Sequence, residues 1–428
     1  MGRRRGLSAL TFITILTSMA ALNGVMLALA IPLLVFILAG LFYGPRPPEI
    51  DIDRQLERDR TAIDDPVTLE IEVRNNGAGV EELHLSNLIH PKLELIEGDA
   101  HRVIKLGAGK TRRFSLTLSG RRGEYIFPDV NIATQDHFSL WRRTASVEAP
   151  ARLVVLPRAE PLRRVAIRPV RTHGYSGQIP ARLGGAGVNF FGLRTYEPGD
   201  PMHWINWRTS ARYENQLFTK LFEQERVADV NLIVDGRERS DISGEGETLL
   251  DHSVLATAAL AEALLAAGNR VGLLVYGDLL DWTYPRYGKI QNERILQKLA
   301  RAAPGNSPAF DKIDNLPTRF FPANSQVILV SPVLKEDVNM LASIPARGLA
   351  LLVISPDPVD YAAALMPPSE HLESAVRLAR IERALALRAL RQAGVQVVEW
   401  KVGMPFKQLA HSQLSRPPTW LRSIGAQA

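Results

Sequence analysis

Apolar and polar positions divide the chain into successive stretches with different periods. From Leu7 to Tyr43 no charged residue interrupts an apolar run of about 37 residues. That is too long for one membrane span of about 20 residues and enough for two short ones. Asn23-Gly24 supplies a turn signal near its middle. The run therefore predicts a transmembrane helical hairpin within residues 7–44, with helices at about 8–22 and 25–43. One long tilted helix is an alternative. A signal peptide cut after Ala28-Leu29-Ala30 is another, but the apolar run continues through Ile31–Tyr43 and argues against cleavage.

Between residues 50 and 160 the period becomes two. Val67–Val73 alternates apolar and polar residues, and Asn75-Asn76-Gly77 ends it with turn chemistry. Phe114–Leu118 alternates again, and Tyr125–Val130 and Arg152–Leu156 read as later strands. Short strands at this spacing predict an immunoglobulin-like β-sandwich. Residues 161–226 lose the period and read as a connecting segment. Its densest part, Gly187–Arg212, holds two Trp, two Phe, one Tyr, three Arg and one Asp.

Residues 227–410 alternate short apolar runs with helical patterns. Strands are expected at Val230–Asp235, Arg270–Tyr276, Gln326–Val330, Gly348–Ile354 and Val395–Trp400, with Leu280–Tyr284 as an antiparallel edge. Helices are expected at Glu247–Gly268, Gln291–Ala303, Lys335–Ile344 and Ser369–Ala393. This order predicts a doubly wound, mostly parallel α/β sheet. Such sheets receive ligands at the carboxyl ends of their strands, here the loops after Asp235 and around Ser331. Residues 411–428 form a tail. The chain is thus expected to be multi-domain.

Composition narrows the chemistry. A chain of 428 residues can bury two or three cores. Having no cysteine excludes disulfides, thiolate zinc sites and thiol nucleophiles. The net charge of +6 comes from scattered pairs such as Arg112-Arg113, not a basic run, so nucleic acid is not an expected partner. Arg3–Arg5 precede the apolar run and Arg46, Arg54, Arg58 and Arg60 follow it. These flanks put both soluble regions on the cytoplasmic side, with the lipid bilayer as an expected partner.

Catalytic patterns fail on inspection. Gly107-Ala108-Gly109-Lys110-Thr111 imitates the end of a phosphate-binding loop, but Ile104 stands where the first Gly is needed and a strand pattern follows. A hairpin turn is the expectation there. Gly174-Tyr175-Ser176-Gly177 is one residue short of a hydrolase elbow, and Gly184-Gly185-Ala186-Gly187 neither follows a strand nor opens a helix. No His-Glu-x-x-His run exists. No catalytic residue is nominated, and the chain is not expected to be an enzyme.

Gly187–Arg212 has clearer local physics. Pro198-Gly199 suits a type II turn, and Asp200-Pro201 suits a helix start with Asp200 as N-cap. Trp204 and Trp207 would share a face, and Arg194 or Arg212 could pair with Asp200. The segment is either a buried clamp between domains or an exposed partner-binding surface.

These residues carry a resemblance. Phe191-Gly192-Leu193-Arg194, Tyr196-x-Pro198-Gly199-Asp200, Ile205-x-Trp207 and Ser210-Ala211-Arg212 resemble the signature of domain-of-unknown-function family 58. Arg121-Arg122-Gly123-Glu124-Tyr125, Asp136-x-Phe138-x-Leu140 and Arg270-Val271-Gly272-Leu273 extend the likeness. The resemblance implies a von Willebrand factor A-like α/β domain. It also implies a membrane-tethered scaffold or adaptor beside a MoxR-type AAA+ ATPase and an unknown client. Von Willebrand A domains often hold Mg²⁺ through Asp-x-Ser-x-Ser. Here that loop reads Asp235-Gly236-Arg237-Glu238-Arg239, and Ser331 is followed by Pro332 where an Asp would be expected. The resemblance therefore implies that the Mg²⁺ site is lost and no cofactor is bound. Asp235 would pair with Arg237 or Arg239, or those arginines would meet a partner's carboxylate. A hydrolase or metal-dependent enzyme, and an envelope adhesion or structural module, are the alternative readings.

Overall fold

A computed structural model describes residues 2–20, 24–42, 48–135, 142–162, 165, 179–213, 216–226, 228–243, 246–278, 280–309, 313–323 and 325–415. Asn23, Arg46, the Asp136–Leu140 motif, Gly174–Gly177 and most of the expected tail lie outside these residues. The chain separates into two compact units, Met1–Leu156 and Pro157–Ala428.

The first unit begins with α1 (Gly2–Ala20) and α2 (Gly24–Phe42), which contact each other. The first helix starts well before the expected position and takes in Arg3–Arg5. Thr14 and Thr17 donate their hydroxyls back to the carbonyls of Leu10 and Ile13, which satisfies them within the helix. Phe12, Met19 and Val25 are 66%, 69% and 74% exposed, so the pair presents large apolar side chains outward. Among the described residues, the helix long and apolar enough to cross a membrane is Leu249–Ala266, and 61% of it is buried in the second unit. Ala9–Ala20 is a shorter apolar stretch.

Eleven strands follow: β1 (Ile50–Leu56), β2 (Arg60–Ala62), β3 (Val67–Asn75), β4 (Val80–Ser86), β5 (Glu94–Glu97), β6 (Arg102–Leu106), β7 (Thr111–Ser119), β8 (Gly123–Ile126), β9 (Val130–Gln135), β10 (Arg142–Val147) and β11 (Arg152–Leu156). They form sheets ordered β1-β3-β7-β5, β10-β9-β4-β6 and β2-β11-β8. The alternation in β3 buries Val67, Leu69, Ile71 and Val73 against Leu83, Leu85, Leu116, Leu118 and Ile132. Tyr125 donates its hydroxyl to the Arg121 carbonyl four residues upstream (2.7 Å), a corner device of such sandwiches. Gly107–Lys110 does form a turn, with Gly109 at φ 65°. It is not a hairpin, however, because β6 and β7 lie in different sheets. Buried Asn75 holds this crossover by donating to the carbonyls of Leu106 and Gly107.

In the second unit, β12 (Ile179–Thr195) pairs antiparallel with β13 (Phe218–Arg226), with register shifts along the ribbon. Much of the segment expected to be irregular is therefore strand. The turn between the strands carries α3 (Trp207–Ser210). A six-stranded mixed sheet follows, built from β14 (Asp229–Asp235), β15 (Arg270–Tyr276), β16 (Leu280–Arg286), β17 (Gln326–Val330), β18 (Ala350–Pro356) and β19 (Gln396–Trp400). Its order is β16-β15-β14-β17-β18-β19; all neighbours are parallel except the β15–β16 edge.

The helices are α4 (Leu249–Ala266), α5 (Gly288–Arg301), α6 (Val338–Ser343), α7 (Pro358–Leu365), α8 (Glu370–Gln392) and α9 (Phe406–Leu409). The expected helix at Lys335–Ile344 opens instead with a tight turn at Lys335–Asp337, and α7 was not anticipated. Val230, Leu232 and Val234 of β14 enter one core with α4 and α5, while Ile233 enters another with α6 and α8. The sheet is thus covered on both faces, which explains why β14 is buried throughout. Thr248 and Asp251 close a reciprocal cap at the start of α4, and Gly268 ends it at φ 80°.

Candidate functional site

The carboxyl ends of β14 and β17 build one constellation. β14 delivers Asp235 into the interior at 4% exposure. Its continuation is pinned by Gly236, whose N–H donates to the Tyr276 carbonyl and whose carbonyl accepts from Gly305. A Cβ at Gly305 would come within 2.0 Å of the Asp278 nitrogen, so this close backbone approach requires glycine. Arg237 bridges to Gly305 in the same small ladder, and its side chain is 1% exposed.

The guanidinium is gripped from both sides. Arg237 Nε and Nη2 donate to the two oxygens of Asp235, both at 2.8 Å. Nη1 and Nη2 donate to the two oxygens of Asp337 at 2.9 and 2.7 Å. Two forked ion pairs therefore share one cation. Ser331, at the end of β17, donates its hydroxyl to Asp235 Oδ2 (2.7 Å). The Leu334 N–H donates to Asp337 Oδ2 (3.0 Å). Val333 between them sits at φ 57°, a strained setting for a β-branched residue. Burial alone would lower the Arg237 pKa; the hydrogen bonds it donates to Asp235 and Asp337 reverse this and hold it above its ordinary value. Burial pushes the neighbouring Tyr276 hydroxyl up to about 12.

A divalent cation needs oxygen ligands with free lone pairs. Here every carboxylate oxygen of Asp235 and Asp337 already accepts from the guanidinium, and the guanidinium fills the space between them. The loop residues do not fit Mg²⁺. Of the two partners considered for Asp235, Arg237 is the one that pairs. Arg237 is buried and cannot offer its guanidinium to another protein, which corrects that expectation. Arg239 is partly exposed and meets Glu336 at the surface (3.1 Å).

A second buried cation locks the same edge. Arg383 of α8 donates to the carbonyls of Pro332 (2.7 Å) and Ser355 (3.2 Å). Burial lowers its pKa.

The other constellation is the signature turn. Gly199 lies at φ 112°, as the Pro198-Gly199 turn requires. Asp200 does not cap a helix: the following 3₁₀ turn, Met202–Trp204, has Pro201 at its N-cap. Asp200 instead accepts from the Glu197 N–H (3.1 Å), Thr219 Oγ1 (3.1 Å) and Arg194 Nη2 (2.6 Å). These bonds, the backbone one foremost, lower its pKa. Arg194, not Arg212, is the ion-pair partner, and Arg212 is exposed. Asn206 caps α3 by accepting from the Thr209 N–H. Trp204 is half-buried against His203, while Trp207 is 62% exposed. Tyr196 is half-buried, and its N–H donates to the Leu217 carbonyl.

The sequence flagged Asp235, Arg237 and Ser331, and the structure brings them together. It missed Asp337, which lies 100 residues from Arg237. An acidic partner was sought directly after Ser331 and not six positions on, in the Lys335-Glu336-Asp337 triplet that could have signalled it.

The profile described as "Protein of unknown function DUF58" matches residues 192–366, a span holding both constellations. "Uncharacterized protein YeaD" of Bacillus subtilis (strain 168) is 31% identical over 156 residues, which is 36% of this chain and 37% of that protein. The match thus spans little more than a third of the relative's length. The CARDB domain of the PF1109 protein from Pyrococcus furiosus, solved in complex with di-metal ions, is 13% identical; the overlap covers 26% of this chain and 96% of that one at TM-score 0.18. A FixG-related protein from Vibrio parahaemolyticus is 12% identical over 26% of this chain and 98% of that one at TM-score 0.17. Neither structural likeness adds to the architecture already described.

Proposed function

We propose that this chain is a non-enzymatic, membrane-anchored scaffold or adaptor. It works at the bacterial inner membrane with a MoxR-type AAA+ ATPase in assembling or maturing a client complex. The observation that carries this reading is the closed Asp235–Arg237–Asp337 cluster. In a von Willebrand A-like domain the corresponding edge recruits ligands through a metal ion. Here a side chain of the protein itself neutralises the carboxylates, so the edge is preorganised and needs neither Mg²⁺ nor another cofactor.

The contact surface is instead the signature turn. Trp207 (62%), Met202 (73%) and Tyr213 (56%) expose large apolar area beside exposed Arg208 and Arg212. Exposed aromatics beside arginines are the usual anchors of protein interfaces. The Arg194–Asp200–Thr219 set, in which Thr219 is buried and the ion pair partly so, serves as the clamp that holds this surface in shape. The ATPase as partner comes from the family resemblance.

The anchor is the α1–α2 pair. Its exposed Phe12, Met19 and Val25 suit lipid, and Arg3–Arg5 suit a cytoplasmic terminus. Affinity purification from native membranes tests the reading. The wild-type chain should retain an AAA+ ATPase that a Trp207→Ala/Arg212→Glu variant loses; equal retention by both would sink it. Protease digestion of inverted vesicles should remove the β-sandwich and the second unit, and a protected second unit would refute the topology.

A further inference from the structure

The sandwich sheet β10-β9-β4-β6 turns one face into the core and the other outward. Leu83, Leu85 and Ile132 enter the core, so the alternation sends His84, Ser86, Asn131 and Ala133 to the outward face. The register aligns them across the sheet. His84, Ala133 and Thr144 stand side by side in one row, and Ser86, Asn131 and Ser146 in the next. Strand spacing and rise make these two rows about 10 Å wide and about 7 Å apart. Ala133 is the small member at the centre. Its larger neighbours leave it 5% exposed, and it lines an open cavity of about 650 Å³.

The lining carries donors and no carboxylate. Arg142, Asn131, Thr144 and Ser146 are exposed. Among the described residues, no hydrogen bond or ion pair engages their side chains. Arg102 also lines the cavity, but its guanidinium stacks over Phe114 (4.6 Å). Neighbouring acids stand apart: Glu82 meets His84 Nε2 at 3.8 Å, and neither it nor Asp129 nor Glu148 lines the cavity.

Unengaged donors around a hollow without acids select an oxyanion. A carboxylate presents its oxygens in one plane. A phosphate ester sets more of them around a tetrahedron, so it can take up the guanidinium fork together with hydroxyls and an amide. Ser86 donates to the Asn131 carbonyl (3.3 Å), and its oxygen can still accept. With the Asn131 amide oxygen it offers a place to alcohol groups beside the phosphate.

We propose that this cavity binds a phosphate ester of a polyol, of which glycerol phosphate is the simplest. Arg142, Thr144 and Ser146 hold the phosphate, and Asn131 and Ser86 hold the alcohol. A free ester and the headgroup of a glycerophospholipid present this same chemistry. The assignment goes beyond the scaffold reading and does not rest on it.

Isothermal titration calorimetry of the full-length protein in detergent tests it. Glycerol phosphate should bind, inorganic phosphate should bind more weakly, and glycerol should give no heat. Arg142→Ala should weaken glycerol phosphate by about tenfold or more. Arg143→Ala should leave it unchanged, because Arg143 pairs with the inward Thr134 and does not line the cavity. Ala133→Phe should abolish binding by filling the hollow. Should that variant misfold, Thr144→Val combined with Ser146→Ala removes two donors without added bulk and should also weaken binding. Absence of binding to the folded wild-type chain, or equal losses in Arg142→Ala and Arg143→Ala, overturns the proposal. Titration in nanodiscs then separates the two sources. Weaker binding in phosphatidylglycerol than in phosphatidylcholine discs assigns the cavity to the headgroup, and equal binding assigns it to the free ester.

Discussion

Arg54 in the first unit and Arg237 in the second are both buried, and they are held by different chemistry. Arg54 in the sandwich is 5% exposed and donates to the carbonyls of Asn87 (2.5 Å), Pro128 (2.6 Å) and Ala149 (3.0 Å). It ties three loops through backbone dipoles, and burial pushes its pKa down to about 10. Arg237 is clamped by two carboxylates, and its pKa moves the other way. The first cation organises peptide groups that would otherwise lack donors. The second also neutralises two buried charges. Similar burial therefore conceals different consequences of removal.

The largest effect should follow Arg237→Met. It leaves Asp235 and Asp337 facing each other without a cation, a loss of about 3–5 kcal/mol in urea unfolding. Arg237→Lys keeps the charge but loses the fork and should fall between that variant and wild type. Arg54→Met leaves unpaired carbonyls but no unpaired charge and should cost about 1–3 kcal/mol. If both Met variants lose equal stability, the distinction between the two cations collapses. Trp207→Ala sharpens the contrast from outside: stability should stay within about 0.5 kcal/mol of wild type while ATPase capture falls.

The smallest effect concerns His252, which touches Tyr361 and Trp400 edge-on. Burial lowers its pKa below 6.5, against the pull of Glu247 and Asp251. Below pH 6.5 the unfolded chain then binds more protons than the folded one. Stability should be full above that value and decline as pH falls through the window beneath it. His252→Gln should flatten this part of the stability profile, and an unchanged slope would assign the acid sensitivity elsewhere.

Much of the fold was legible because its signals are local. The period-two run at Val67–Val73 and the apolar run at Val230–Asp235 fall on β3 and β14 almost residue for residue. Gly268 and Gly394 end their helices at positive φ. The ribbon of β12 and β13 was not legible, because its register shifts break the period that would reveal a strand. The candidate site was half legible. Asp235, Arg237 and Ser331 stand at strand ends, where parallel sheets concentrate chemistry. The pairing with Asp337 spans 100 residues, and an arginine in a loop reads as solvated unless its partners are known. Asp200 misled for a related reason: Pro201 imitates a helix start, while Arg194 and Thr219, from neighbouring strands, claim the carboxylate.

The central claim is that the Arg237 guanidinium does the work of a cation at this edge, which leaves no place for a metal ion. Thermal unfolding of the wild-type chain with Mg²⁺, and again with a chelator, tests it most directly. The midpoint should be the same in both. A ligand present at about 100 times its dissociation constant stabilises by about 2.7 kcal/mol. A clear rise in the midpoint with Mg²⁺, reversed by the chelator, would contradict the claim.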